Sequence, residues 1–163
     1  MNKCRTVYLG LGSNLSHPKL QIQKAIQLLA DHPEILVTSQ APYYQTPPWG
    51  VTDQADFINS ALSISTTLCP LSLLDAIKHI EYHQMGRIKN KRWHERLIDI
   101  DILLYENWHI TQPELTIPHP LIADRWFVIL PLLALQPTLP VTLAQTIHNK
   151  LDSETIPQDL IKI

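Results

Sequence analysis

Glycine is scarce in this chain of 163 residues: four glycines stand against thirteen prolines. None of the four belongs to a G-x-x-x-x-G-K-[ST] loop, which excludes a Walker-type phosphate cradle. Gly10 and Gly12 form a lone G-x-G without the third glycine of the dinucleotide fingerprint, so any nucleotide must be held by another arrangement. Cysteine is scarcer still. Cys4 and Cys69 stand apart, with no spacing that implies a disulfide framework or a metal knuckle. The most apolar run, "WFVILPLLAL", is too short to span a membrane and is interrupted by Pro131. "MNKCRTVYLG" lacks the apolar centre of a signal peptide, so a cytoplasmic, reducing setting is expected. Charged residues are 17% of the chain and the net charge is -2, which gives no basic field for nucleic acid. A G-x-S-x-G elbow and a Cys-His arrangement are also missing, so nucleophilic catalysis has no support.

What is present is a chain 45% hydrophobic and long enough to bury a real core as one domain, residues 1–163. "TVYLGLG" reads as a first strand, followed by turn and cap chemistry in Asn14, Ser16 and Pro18. Ile22, Ala25, Ile26 and Leu29 follow the i, i+3, i+4, i+7 rule of an amphipathic helix. "ILVTSQAPYYQ" is a second strand, irregular around Pro42, and "FINSALSISTT" a third, with the proline-stiffened loop from Thr46 to Asp56 between them. Leu73, Leu74, Ile77 and Ile80 mark a second helix that Gly86 is placed to stop. With the strand around "LIDIDILLY" the order is βαββαβ, the pattern of a ferredoxin-like α+β sandwich, with one added C-terminal helix in "IADRWFVILPLLAL".

"RWHERLIDIDILLY" holds the main puzzle. At a strand's period of two, Ile98, Ile100, Ile102 and Leu104 share one face, and Leu97, Asp99, Asp101 and Leu103 the other. Two carboxylates thus stand about 7 Å apart along one face of an otherwise apolar strand. They repel each other and resist desolvation, so positive charge is expected between them. Arg87, Lys89, Lys91, Arg92 and Arg96 precede them closely. Alone, such a run is a solvated face. Feeding into a carboxylate pair, it becomes the parts list of phosphoryl transfer, with hard oxygen ligands for Mg²⁺ and arginines for phosphate oxygens. Phe57 and Asn59 share a face of the third strand, a flat ring beside an amide able to read a planar heterocycle, although a core Phe and a backbone-tied Asn would look the same. His79 and His83 are four apart on the second helix without an evident third ligand, and fit a solvated face.

Taken together, "YLGLGSNL", "QTPPWG", "DFINSAL", "GRIKNKRWHERLIDIDILLY", "TIPHP" and "DRWF" resemble the 6-hydroxymethyl-7,8-dihydropterin pyrophosphokinases of folate biosynthesis. The resemblance covers nearly the whole chain, and its most specific part is RW-x-x-R-x-x-D-x-D combined with PHP and the early GSN. It implies transfer of the β,γ-diphosphate of ATP to the pterin hydroxymethyl group, releasing AMP. It further implies that Asp99 and Asp101 hold two Mg²⁺ ions, and that Arg87 and Arg96 steady the phosphates. Thr46, Pro47, Trp49, Phe57, Asn59, Trp93 and Phe127 match pterin contacts. Lys89, Ile102, Thr116, His119 and Arg125, with Arg87 and Arg96, match the ATP side. ATP and the pterin are then the partners of a cytoplasmic monomer.

The chain departs from the family pattern in places. His94 and Glu95 stand where Gly-Pro is common, Glu114 and Pro120 where Arg and Tyr are frequent, and one extra residue separates Glu81 from Arg87. Two other classes use part of the pattern. A Mg²⁺-dependent phosphohydrolase would share the D-x-D and the arginines but need no Phe57/Asn59 recess. An RNA-binding ferredoxin-like module would need a basic, aromatic sheet face, which the net charge and the aspartates oppose.

Overall fold

The structure, a computed structural model, describes residues 3–89 and 94–163. Strand β1 (Arg5–Ser13) alternates as its sequence demands, burying Val7, Leu9 and Leu11 on one face and leaving Gly10 and Gly12 on the other. Helix α1 (Pro18–Ala30) starts at a proline, where the missing N–H has no helical partner to lose, and buries Ile22, Ala25 and Leu29. Its cap is His17 in a left-handed conformation, with no side-chain cap bond. The expected second strand is split around Pro42 into β2 (Ile35–Gln40) and β3 (Tyr44–Thr46). Both pair with the long β4 (Phe57–Thr66).

Helix α2 (Pro70–His79) continues into a π-helical turn, Ile80–Gln84, and Gly86 with φ of 73° closes it. Strand β5 (Asp99–Tyr105) then returns along the sheet edge beside β1. A small hairpin, β6 (Ile110–Thr111) and β7 (Thr116–Ile117), precedes helix α3 (Trp126–Ala134). Two further elements follow where only one helix was expected: α4 (Val141–Ser153) and β8 (Ile161–Lys162). The apolar stripe of α4 is thin, with only Ile147 buried, and so left little periodic signal. Pro131, expected near a boundary of the C-terminal helix, lies inside α3. Burial of Ile129, Pro131 and Leu132 outweighs the one hydrogen bond a proline removes.

The chain is thus α+β with an antiparallel sheet in the order β5-β1-β4-β3-β8, β2 also lying against β4. One core cluster packs α1 and α2 against the sheet, and a second joins Leu103, Leu104 and Ile122 to α3 and α4. Both sheet faces are covered by helices, so the open face of an RNA-binding sheet is not available. One expectation fails on β5. Leu104 does not stay with Ile98, Ile100 and Ile102 but enters the second cluster. The pairing with β1 slips between Tyr8 and Leu9, and that bulge inverts the alternation beyond Ile102.

Candidate active site

Asp99 and Asp101 face the helix α3 side of the sheet, and directly across the ladder from them on β1 are Gly12 and Gly10. The absence of side chains there leaves room, and a cavity opens between β1, β4, β5 and α3. Gly12 is required by close approach: a Cβ on it would lie 2.9 Å from Asn59 Oδ1. Asn59 is buried and donates through Nδ2 to Thr46 Oγ1 at 3.0 Å. Phe57, Trp49 and Phe127 supply apolar wall at that end, and the Arg125 guanidinium lies 4.7 Å over the Trp49 ring and 5.7 Å from that of Phe127.

The two aspartates are held differently. Arg87 Nη1 donates to Asp99 Oδ1 at 2.9 Å, and Arg96 Nη1 bonds Asp99 Oδ2. Burial would push the Asp99 carboxyl up, but Arg96 and Arg87 outweigh it and hold the group below the usual carboxylate range. Among the described residues Asp101 has only His119 Nε2, at 3.9 Å, as an ion-pair partner. Burial and the Asp99 charge push its carboxyl up to about 7. His119 offers little relief, since burial and the nearby Arg125 charge depress its own pKa.

The pair suits Mg²⁺ by donor chemistry: oxygen ligands only, on one strand face, opening into space for water and phosphate oxygens. Among the described residues no group of three or more His, Cys, Asp or Glu is placed to hold a metal ion, and Mg²⁺ commonly takes only one or two carboxylates with water and substrate oxygens. His79 and His83 stack with ring centroids 5.1 Å apart on an exposed surface, and no metal cluster forms there among the described residues either.

Comparison with known proteins shows the family. The family model described as 7,8-dihydro-6-hydroxymethylpterin-pyrophosphokinase (HPPK) matches residues 8–137. The chain belongs to this family. The 2-amino-4-hydroxy-6-hydroxymethyldihydropteridine pyrophosphokinase of Methylorubrum extorquens is 41% identical over 134 residues, covering 82% of this chain and 84% of the relative. The protein of the same name from Aquifex aeolicus is 38% identical over 157 residues, covering 96% and 94%. Among solved structures, Plasmodium falciparum HPPK-DHPS with pterin and p-hydroxybenzoate matches with a TM-score of 0.72 at 17% identity. That match covers 99% of this chain and 47% of the other, so the chain spans about half its length and the likeness is one of fold.

Against the residues expected from the HPPK resemblance, the cavity brings together Thr46, Pro47, Trp49, Phe57, Asn59, Arg96, Asp99, Asp101, Arg125 and Phe127. Arg87 and His119 adjoin it through the aspartates. Lys89 is exposed, Thr116 on β7 is half-buried, and both lie off the cavity wall. The Ile102 side chain packs in the core beneath the sheet, so contact with a ligand would have to come from its main chain on the edge strand. Trp93 lies outside the described residues, with Lys91 and Arg92.

Sequence reasoning did not assign two residues that build the site. Glu81 is fully buried: Oε1 accepts from Ile100 N at 2.7 Å and lies 2.9 Å from Arg87 Nη1, and Oε2 accepts from Lys78 Nζ at 3.0 Å. Burial raises its pKa against the pull of Lys78 and Arg87. A π-helical turn, closed by Met85 N donating to Ile80 O, carries the chain from Glu81 toward Arg87. Its signal was present, because Glu81 follows Ile77 by four on the buried helical face. Asn14 is the second. Its Oδ1 accepts from Arg96 N at 2.8 Å, and its Nδ2 donates to Gln54 Oε1 and Ala55 O, both at 3.0 Å. Read from the sequence as turn chemistry, it is a tertiary staple between two loops.

Proposed function

We propose that this chain transfers the β,γ-diphosphate of ATP to the hydroxymethyl group of 6-hydroxymethyl-7,8-dihydropterin, releasing AMP, as the HPPK reaction of folate biosynthesis. The observation that carries the reading is one cavity with a carboxylate pair and arginines at one end and an aromatic, amide-bearing wall at the other. Phe57 and Phe127 sandwich the pterin ring, Asn59 reads its edge, and Thr46, Pro47 and Trp49 offer loop contacts, with Trp93 helping to seal the site. Arg87 and Arg96 grip phosphate oxygens with planar donors, and His119 and Arg125 extend that grip along the triphosphate. Lys89 adds charge to the loop, while Ile102 and Thr116 lie toward the adenosine.

Asp99 and Asp101 are the residues that would hold two Mg²⁺ ions, which neutralise phosphate charge and acidify the attacking hydroxyl when bound. The hydroxyl oxygen bonds to the β-phosphorus and gives up its proton to solvent, the bond from the β-phosphorus to the α,β-bridging oxygen breaks, and AMP leaves with that oxygen. Exclusion of water by a closed site guards against hydrolysis of ATP. The sheet order, with α1 and α2 on one face, supports the ferredoxin-like class. Residues 1–163 act as one domain, monomeric and cytoplasmic, on this reading.

The test is a product assay with Mg²⁺, ATP and the pterin, resolving nucleotides by chromatography. AMP formed one-for-one with diphosphorylated pterin, and only when pterin is present, is the expected result. ADP or free phosphate released without pterin would replace the reading with a phosphohydrolase.

A further inference from the structure

The loop that carries Pro47 and Trp49 leaves the sheet from β3, a strand only three residues long. On one side β3 pairs with β4, Tyr44 against Asn59 and Thr46 against Phe57. On the other side it pairs with β8, Tyr44 against Lys162 and Gln45 against Ile161, and Ile163 N donates to Tyr43 O at 2.9 Å. By the alternation of an antiparallel ladder, that bond places Ile161 and Gln45 in a hydrogen-bonded pair. Ile161 and Ile163 remain 53% and 50% exposed, so β8 adds main-chain hydrogen bonds rather than apolar burial. Leu160 anchors the segment against the α3/α4 cluster, while Pro157 and Leu160 line a cleft on the outer side of Thr46–Trp49. The segment lies outside residues 8–137, the stretch matched by the family model.

We propose that residues 157–163 are a strap that positions the pterin-side wall: β8 fixes β3, and through it Thr46, its bond to Asn59, and the exit of the Pro47–Trp49 loop. A three-residue strand with a ladder on one side only frays readily, and fraying here moves wall residues of the cavity without touching the aspartates. The strap is a positioning element, not a catalytic one, and its effect on pterin rests on the function proposed above.

Two variants test it: deletion of residues 160–163, and Ile161→Pro, which removes an N–H from the ladder. Ile161→Thr keeps that N–H and serves as the conservative comparison. Expected for both disruptive variants is a pterin KM raised roughly five- to tenfold, as when a few main-chain hydrogen bonds that order a loop are lost. The KM for ATP and kcat stay unchanged, the fold still melts cooperatively, and Ile161→Thr retains the parent KM. Amide exchange over residues 43–50 should accelerate in the same two variants, with or without pterin. Unchanged exchange and unchanged pterin KM would overturn the strap. Equal rises in both KM values with a large fall in melting temperature would also overturn it, as general destabilisation. If the parent protein shows no pterin-dependent turnover while exchange over 43–50 still responds to the variants, the functional reading fails and the strap stands.

Discussion

Asp99 and Asp101 differ by what faces them. Asp99 has two guanidinium groups, whereas Asp101 has a like charge nearby and a histidine whose pKa is depressed. Because the Asp101 pKa is raised from 3.8 to about 7 in the fold, ionising it opposes folding. Its contribution to stability is therefore fully present below about pH 4, falls as pH rises toward 7, and is level above. Asp101→Asn should match the parent in melting temperature near pH 4 and exceed it at pH 8, while kcat drops on the order of 10²–10³-fold. Thermal melts across pH with parallel turnover assays check both arms. A parent curve that is flat from pH 4 to 8 would contradict the assignment. Mg²⁺ binding competes with the same proton, so Mg²⁺ affinity should climb with pH up to about 7, as titration calorimetry would read.

Glu81 is a different kind of acid: it does not line the cavity but fixes Ile100, the residue between the aspartates, and Arg87. Glu81→Ala leaves Ile100 N and two cations without this partner. The expected loss is about 3–5 kcal/mol of stability, measured by urea unfolding.

At the scale of elements, the π-helical turn decides where Glu81 and Arg87 sit. Its i→i−5 bond takes one residue more than an α-helical turn, and Gln84 on its surface is exposed. Deleting Gln84 should let the turn relax to an ordinary helical one, since π-turns accommodate single insertions, and stability should change by less than about 1 kcal/mol. Retention of the Glu81–Ile100 bond would appear as unchanged slow exchange of the Ile100 amide. Much of this level was legible in the sequence. The strands β1 and β4, the helices α1 and α2, and the break at Pro42 follow from periodicity and proline chemistry, which act within a few residues. The π-turn, α4 and β8 were not legible, because their apolar patterns are short or thin and their stability comes from what they dock against.

At the scale of the molecule, Asn14 joins loops that no local pattern connects. Its carboxamide spans from Arg96, 82 residues away, to the loop at Gln54 and Ala55. Asn14→Ala removes those bonds from a nearly buried position and should lower stability by about 2–4 kcal/mol. Arg96 N loses its acceptor, leaving only the bond from Asn14 N to Arg96 O between these residues, so the KM for ATP should rise as well, whereas a purely structural role would lower stability and leave KM where it was.

Periodicity by itself placed Asp99 and Asp101 on one strand face and Phe57 with Asn59 on another, because backbone geometry forces alternation whatever the surroundings. Composition by itself excluded a glycine-loop phosphate cradle. Only the tertiary structure decided that Gly12 must yield to Asn59 Oδ1, that Arg87 turns to both Glu81 and Asp99, and that Leu104 leaves the face of Ile102. Those outcomes depend on strand register, one bulge in β5 and the docking of distant segments. Each is set by the sum of long-range contacts, which no window of neighbouring residues contains.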